Sequence, residues 1–117
     1  MMDFNFENLD VYKKANIFVN QIYSLTKGYP KEEMFGLTSQ LRRAAVSIPL
    51  NIAEGSARSK KEFARFIDVA KGSISECVTI LEISLKQQYV NKKQMEEFKQ
   101  QLVELSKMLS GLKRSLK

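Results

Sequence analysis

The sequence has no histidine and no tryptophan, a single cysteine, two prolines and five glycines. Without histidine, neither the Ser-His-Asp nor the Cys-His nucleophile system can be assembled, and the usual histidine-containing zinc sites are lost. A di-metal carboxylate bundle is not expected either, because it needs Glu-x-x-His pairs projecting inward. One cysteine cannot close an internal disulfide, which suits a reducing compartment. That residue, Cys77, falls on an apolar helical stripe and is assigned to packing. No apolar run reaches the roughly 18 residues of a membrane span. The leading residues, Met1-Met2-Asp3-Phe4-Asn5-Phe6-Glu7, are acidic and lack the apolar core of a secretory leader. These absences predict a cytoplasmic protein that is not an enzyme and has no cofactor, metal or membrane partner.

What is present is a helical pattern along 117 residues, 44% of them apolar and 27% charged. A chain of this size buries enough surface for one core, and we expect one domain over 1–117. Val11, Ala15, Phe18, Ile22 and Leu25 share one face of a first helix, predicted from about Leu9 to Leu25, with Asn8 or Asp10 near its start. Gly28-Tyr29-Pro30 breaks that pattern. A second helix is expected after Pro30, with Met34, Leu37, Leu41, Ala44, Ile48 and Ile52 as its stripe and Gly55 as its end. Pro49 lies within that stripe. It implies either two short helices or, because the period continues past it, one helix kinked near Pro49. Ser59-Lys60-Lys61-Glu62 reads as a capping box opening a third helix. Its stripe is Phe63, Ile67, Ala70, Ile74, Cys77, Leu81 and Leu85. A fourth helix carries Met95, Phe98, Leu102, Leu105, Leu109, Leu112 and Leu116 in heptad register. Short connections make neighbours antiparallel. The expected fold is all-α, an up-down-up-down four-helix bundle.

Helices two and three have more apolar residues than one stripe needs. Phe35, Val46, Leu50 and Ala53 form a second row on helix two, and Phe66, Val69, Ile80 and Ile83 on helix three. A broad stripe in a compact core accounts for these rows; so does burial between subunits. Gly72 costs about 1 kcal/mol against alanine in mid-helix, and close helix approach is the usual compensation.

Nineteen Lys and Arg against 13 Asp and Glu give a net charge of +6. Antiparallel topology gathers Arg58, Lys60, Lys61, Lys113, Arg114 and Lys117 at one end, with Asp3, Glu7, Glu54 and Glu62 nearby. Free N–H groups at the start of helix three, together with these cations, suit a phosphate. A solvated loop explains the same lysines, and no known RNA- or DNA-binding motif accompanies them. Arg42 and Arg43 point about 100° apart on a helix. One is expected to pair with a carboxylate such as Glu76 or Glu54. Asn51 and Glu54 suggest a hydrogen-bond network at an interface, joined by Ser73 and Glu76.

The stretch Gln40-Leu-Arg-Arg-Ala-Ala-Val-Ser-Ile-Pro-Leu-Asn-Ile-Ala-Glu-Gly55 resembles proteins encoded within intervening sequences of bacterial 23S ribosomal RNA genes, also called the S23 ribosomal protein family. The resemblance extends to Leu9-Asp-Val-Tyr12, Tyr29-Pro30, Glu33, Gly36-Leu37, Phe63-x-x-Phe66, Ala70-x-Gly72-Ser73 and Glu76. Tyr12 stands where tryptophan is common, and Tyr29 where phenylalanine is. The resemblance implies an antiparallel four-helix bundle assembling as a ring-like homopentamer. Family-typical positions map onto Arg42, Arg43, Ser47, Pro49, Asn51, Glu54, Gly55, Ser73 and Glu76. The chain is also similar to the accessory variability protein of diversity-generating retroelements, which binds nucleic acid and a reverse transcriptase through a basic surface. The expected function is therefore a non-enzymatic, pentameric bundle binding structured RNA or other nucleic acid, with an assembly adaptor for a protein partner as the alternative.

Overall fold

A computed structural model describes residues 4–117. After a 3-10 turn at Asn5–Asn8 come four helices: α1 (Asp10–Thr26), α2 (Leu37–Ser56), α3 (Lys60–Lys86) and α4 (Lys92–Ser115). Each packs against its sequence neighbours, and α1 also packs against α4, closing an antiparallel bundle. The 27 residues of α3 extend about 40 Å at about 1.5 Å per residue. They span almost the whole 43 Å long axis of the molecule.

The apolar stripes meet in one core. Phe18, Ile22, Leu41, Ile48, Ile52, Ile67, Leu81, Leu102, Leu105 and Leu109 are fully or almost fully buried. Cys77 lies among them, and its thiol is pushed up to about 12 by burial first and by the neighbouring Glu76 charge second. A thiol so held is a packing group, not a nucleophile.

Four details differ from the sequence reading. α1 has no side-chain cap: Leu9 holds the N-cap position and Asp10 lies in the first turn. α2 begins at Leu37, because Lys31–Glu33 form a separate 3-10 turn and Gly36 leaves helical geometry at φ −114° and ψ −116°. The Glu33 carboxylate accepts the Leu37 N–H at 3.1 Å and so caps the helix. A Cβ on Gly36 would come within 2.7 Å of that carboxylate, so glycine makes room for the cap. Met34 is consequently exposed and outside the stripe. At the other end α2 continues past Gly55 to Ser56. Gly55 marks a crossing instead of a stop, since a Cβ there would sit 2.7 Å from the Phe66 Cβ. Lastly, the Ser59 hydroxyl accepts the Glu62 N–H at 3.2 Å, but the Glu62 carboxylate meets that hydroxyl and not the Ser59 N–H. The box is half formed.

α2 runs as one helix through Pro49, whose ring is buried. That selects the single helix over two short ones, although proline offers no N–H to the Ala45 carbonyl.

Candidate nucleic-acid interface

The α2–α3 connector and the C-terminus of α4 share one end of the bundle. Lys60 and Lys61 from the first turn of α3 line a shallow hollow with Lys113 and Arg114 from the last turn of α4, and with Lys117. Chain direction places them there: α3 starts where α4 finishes. Lys113 is engaged, donating to both carboxylate oxygens of Asp68 at 2.9 Å. Lys60, Lys61, Arg114 and Lys117 make no ion pair among the described residues. Cations in the first turn of α3 oppose its dipole, so the arrangement gains from an anion placed over it.

Arg58 is brought to the same end but not into the hollow. Its guanidinium lies 3.2 Å from Glu54 and 3.9 Å from Glu62, clasping the end of α2 to the start of α3. It also covers the Phe66 ring at 5.5 Å. Arg58 is a structural clasp before it is a phosphate ligand. Arg65, which the sequence reading passed over, lies on the outside of α3 with its guanidinium 6.0 Å from the same ring. Its neighbour-by-neighbour position three to five residues after Lys60-Lys61-Glu62 was the available signal. Of the nearby acids, Glu7 caps the N-terminal turn by accepting the Phe4 N–H at 2.9 Å. Asp3 lies outside the described residues.

The residues expected to form an interface network divide into four groups. Asn51 donates to the Ser47 carbonyl and hydroxyl at 2.7 and 2.9 Å, and the Ser47 and Ser73 hydroxyls share a 2.8 Å hydrogen bond. This joins α2 to α3 with Ser47 as hub, a role signalled in the sequence by its spacing of four from Asn51 and its place among the family-typical positions. Arg42 does not meet a carboxylate. Its Nε donates to the Thr26 hydroxyl at 2.8 Å, and its guanidinium lies 4.6 Å over the Tyr23 ring. Both partners belong to α1, and among the described residues no carboxylate lies within 4.0 Å of the guanidinium. Arg43 and Glu76 border one hollow at the α2–α3 seam without an ion pair between them, while Glu54 belongs to Arg58.

Beside this seam the outer side of α2 forms an open groove of about 670 Å³, lined by Tyr23, Met34, Phe35, Arg42, Leu50, Asn51 and others. Of the surplus apolar rows, Ile80 is buried and Val46, Ala53 and Phe66 are half-buried. Phe35, Leu50, Val69 and Ile83 remain 96%, 60%, 50% and 43% exposed. Gly72 is not at a close approach within the chain, because a Cβ there would meet nothing within 4 Å. Among the described residues no group of three or more potential metal ligands converges, and no helix is long and apolar enough to cross a membrane.

No curated protein shows a significant match to the chain. A solved structure from Bacteroides thetaiotaomicron VPI-5482, described as a protein with unknown function from the S23 ribosomal protein family, is similar at a TM-score of 0.82. The two chains are 25% identical, and the match covers 89% of this chain and 95% of that one. The family model for the 23S rRNA-intervening sequence protein matches residues 7–111, the end of the α3–α4 basic hollow excepted. With α1 to α3 and all but the last turn of α4 inside that match, the chain belongs to the 23S rRNA-intervening sequence protein family.

Proposed function

We propose that this protein is a non-enzymatic homo-oligomer, pentameric as the family resemblance implies, that binds structured RNA or other nucleic acid through its basic end. One observation carries the reading: Lys60, Lys61, Arg114 and Lys117 gather around one hollow with no carboxylate paired to them among the described residues. Cations neutralised within a chain have little to offer a phosphate; these four retain their charge for a partner. Repetition around an oligomer multiplies the field, which favours a polyanion. Recognition of this kind is salt-dependent and reads backbone and shape more than base sequence. Lys113, held by Asp68, and Arg58, held by Glu54 and Glu62, shape the hollow and the connector.

The test is an anisotropy titration of a structured RNA at about 50 and about 200 mM salt. Wild type is compared with Lys60→Ala/Lys61→Ala/Arg114→Ala after oligomer mass is matched. The expected result is wild-type binding that weakens with salt, and a variant with lower affinity and a shallower salt slope. Equal binding by the two proteins rejects the basic end as the contact. No binding by the wild type at low salt rejects the nucleic-acid reading and leaves the adaptor reading, which the near-complete exposure of Phe35 favours.

A further inference from the structure

We propose that the phosphate-binding surface continues from the basic hollow along the seam between α3 and α4 as far as Lys71, and that Asp68 restrains it by neutralising Lys113. The inference rests on the nucleic-acid reading and names the footprint of that site and the residue that limits it. Along this seam the two helices face each other as an antiparallel ladder. Lys71 meets Ser110 at 2.7 Å and, one turn nearer the basic end, Asp68 meets Lys113 at 2.9 Å. A further turn on, Lys60, Lys61 and Ala64 share the hollow with Lys113, Arg114 and Lys117. Lys60 and Lys71 lie on one line of α3, because their separation in sequence is three full helical turns to within about 20°. That line is about 16 Å long at about 1.5 Å per residue.

The two outer rungs differ in what holds the lysine. Lys113 gives its ammonium to both oxygens of Asp68, so the pair has little charge left for a phosphate. Lys71 is half-buried, and its ammonium donates to a hydroxyl, which carries no charge. It makes no ion pair among the described residues, so its positive charge stays whole at the seam. An ammonium has three N–H donors, and the bond to Ser110 leaves two for phosphate oxygens. The serine also fixes the head of a flexible side chain, which then loses less freedom on binding a ligand. A tie between helices does not by itself call for a cation: Gln101 and Gln21 join α4 to α1 with neutral groups.

This line fits one strand of a stem lying along the seam. Phosphates follow one another at about 3.4 Å along a duplex strand, so about 16 Å covers about five of them. Lys60 and Lys61 take one end of that stretch and Lys71 the other. Between them Asp68 stands against the strand, and Lys113 cancels its charge. An amide in place of the Asp68 carboxylate removes the anion and releases the Lys113 charge to the strand in one step.

Fluorescence anisotropy of the full chain with an RNA hairpin whose stem exceeds this length, at about 50 and about 200 mM salt, tests the proposal. Lys71→Met keeps the apolar stem of the side chain and removes the charge. It is expected to bind more weakly with a salt slope shallower by about one, so that the affinity ratio between the two salts shrinks by about fourfold. Asp68→Asn is expected to do the reverse, tightening binding and steepening the slope by about one. Ser110→Ala removes the tie but no charge, and is expected to keep the wild-type slope. Wild-type affinity and slope in Lys71→Met overturn the extended contact, while weakening of Lys60→Ala/Lys61→Ala/Arg114→Ala in the same titration leaves the basic end standing. Equal weakening of Lys71→Met and Ser110→Ala with no change of slope also overturns it, because the pair then only ties α3 to α4. Unchanged or weaker binding by Asp68→Asn overturns the restraint. A wild type that does not bind at low salt overturns the nucleic-acid reading itself.

Discussion

The face formed by α1 and α4 differs from the face formed by α2 and α3 in how its polar groups are spent. On the first, Lys14 meets Glu104 and Gln101 meets Gln21, each at 2.6 Å across the helix pair. At the neighbouring edge, Lys71 reaches Ser110 at 2.7 Å and Lys113 reaches Asp68. Ile17 borders a small hollow with Lys14, Gln101 and Glu104, and Val103 of α4 is exposed as well. On the second face the Asn51–Ser47–Ser73 bonds lie at the seam, but Arg43 and Glu76 stay unpaired and four large apolar residues stand open. Exposed ion pairs contribute little to stability, roughly 0–1 kcal/mol each. The contrast therefore says less about holding the fold than about use: the first face ties its two helices with polar bonds, and the second leaves more large apolar side chains open.

Three further experiments sharpen or break that contrast. Gly55→Leu has the largest expected effect, because the new side chain enters space already taken by Phe63 and Phe66. Overpacking of this kind costs about 1–3 kcal/mol, read as a lower urea midpoint; an unchanged midpoint would show that α2 and α3 do not cross so closely. Ser73→Ala is intermediate. It removes one bond of the Ser47 hub, with an expected loss of about 0.5–1.5 kcal/mol and no change in oligomer mass. A stability gain would reassign the serine pair to packing tolerance. The smallest effect is expected from a Lys14→Ala and Glu104→Ala double-mutant cycle, with a coupling of about 0.2–1 kcal/mol that fades as salt rises. If either single variant alters oligomer mass, the α1–α4 bonds serve more than the chain's own helix pair and the contrast fails.

Much of the architecture was legible because helical period is a local property. The stripes of α1, α3 and α4 were visible in residues three and four apart, and Ser59 marked the start of α3 one residue before it occurs. The errors came where a nearby group outbid the local signal. Pro30 suggested an immediate helix start, but the Glu33 side chain caps a helix that begins four residues later. Gly55 looked like a stop because a helix-breaking residue and a crossing residue are the same residue, and only the position of Phe66 separates them. The basic end followed from chain direction alone, so its members were legible; that Arg58 is held by Glu54 and Glu62 was not, because three side chains converge across a bend. Arg42 escaped for a related reason. Its partners, Thr26 and Tyr23, carry no charge to pair with and sit on another helix.

The tight turn between α2 and α3 has a kinetic consequence. Only Ala57, Arg58 and Ser59 separate the two helices, which share the most extensive contact in the bundle. Closing so short a loop sacrifices little chain entropy, and contacts close in sequence form quickly. Gly55 meeting Phe66, and Arg58 drawn between Glu54 and Glu62, put the first contacts of this hairpin beside its hinge. The α2–α3 hairpin is thus the natural nucleus on which α1 and α4 later condense, and the helices that organise folding are the same pair that the finished protein leaves most open to the outside.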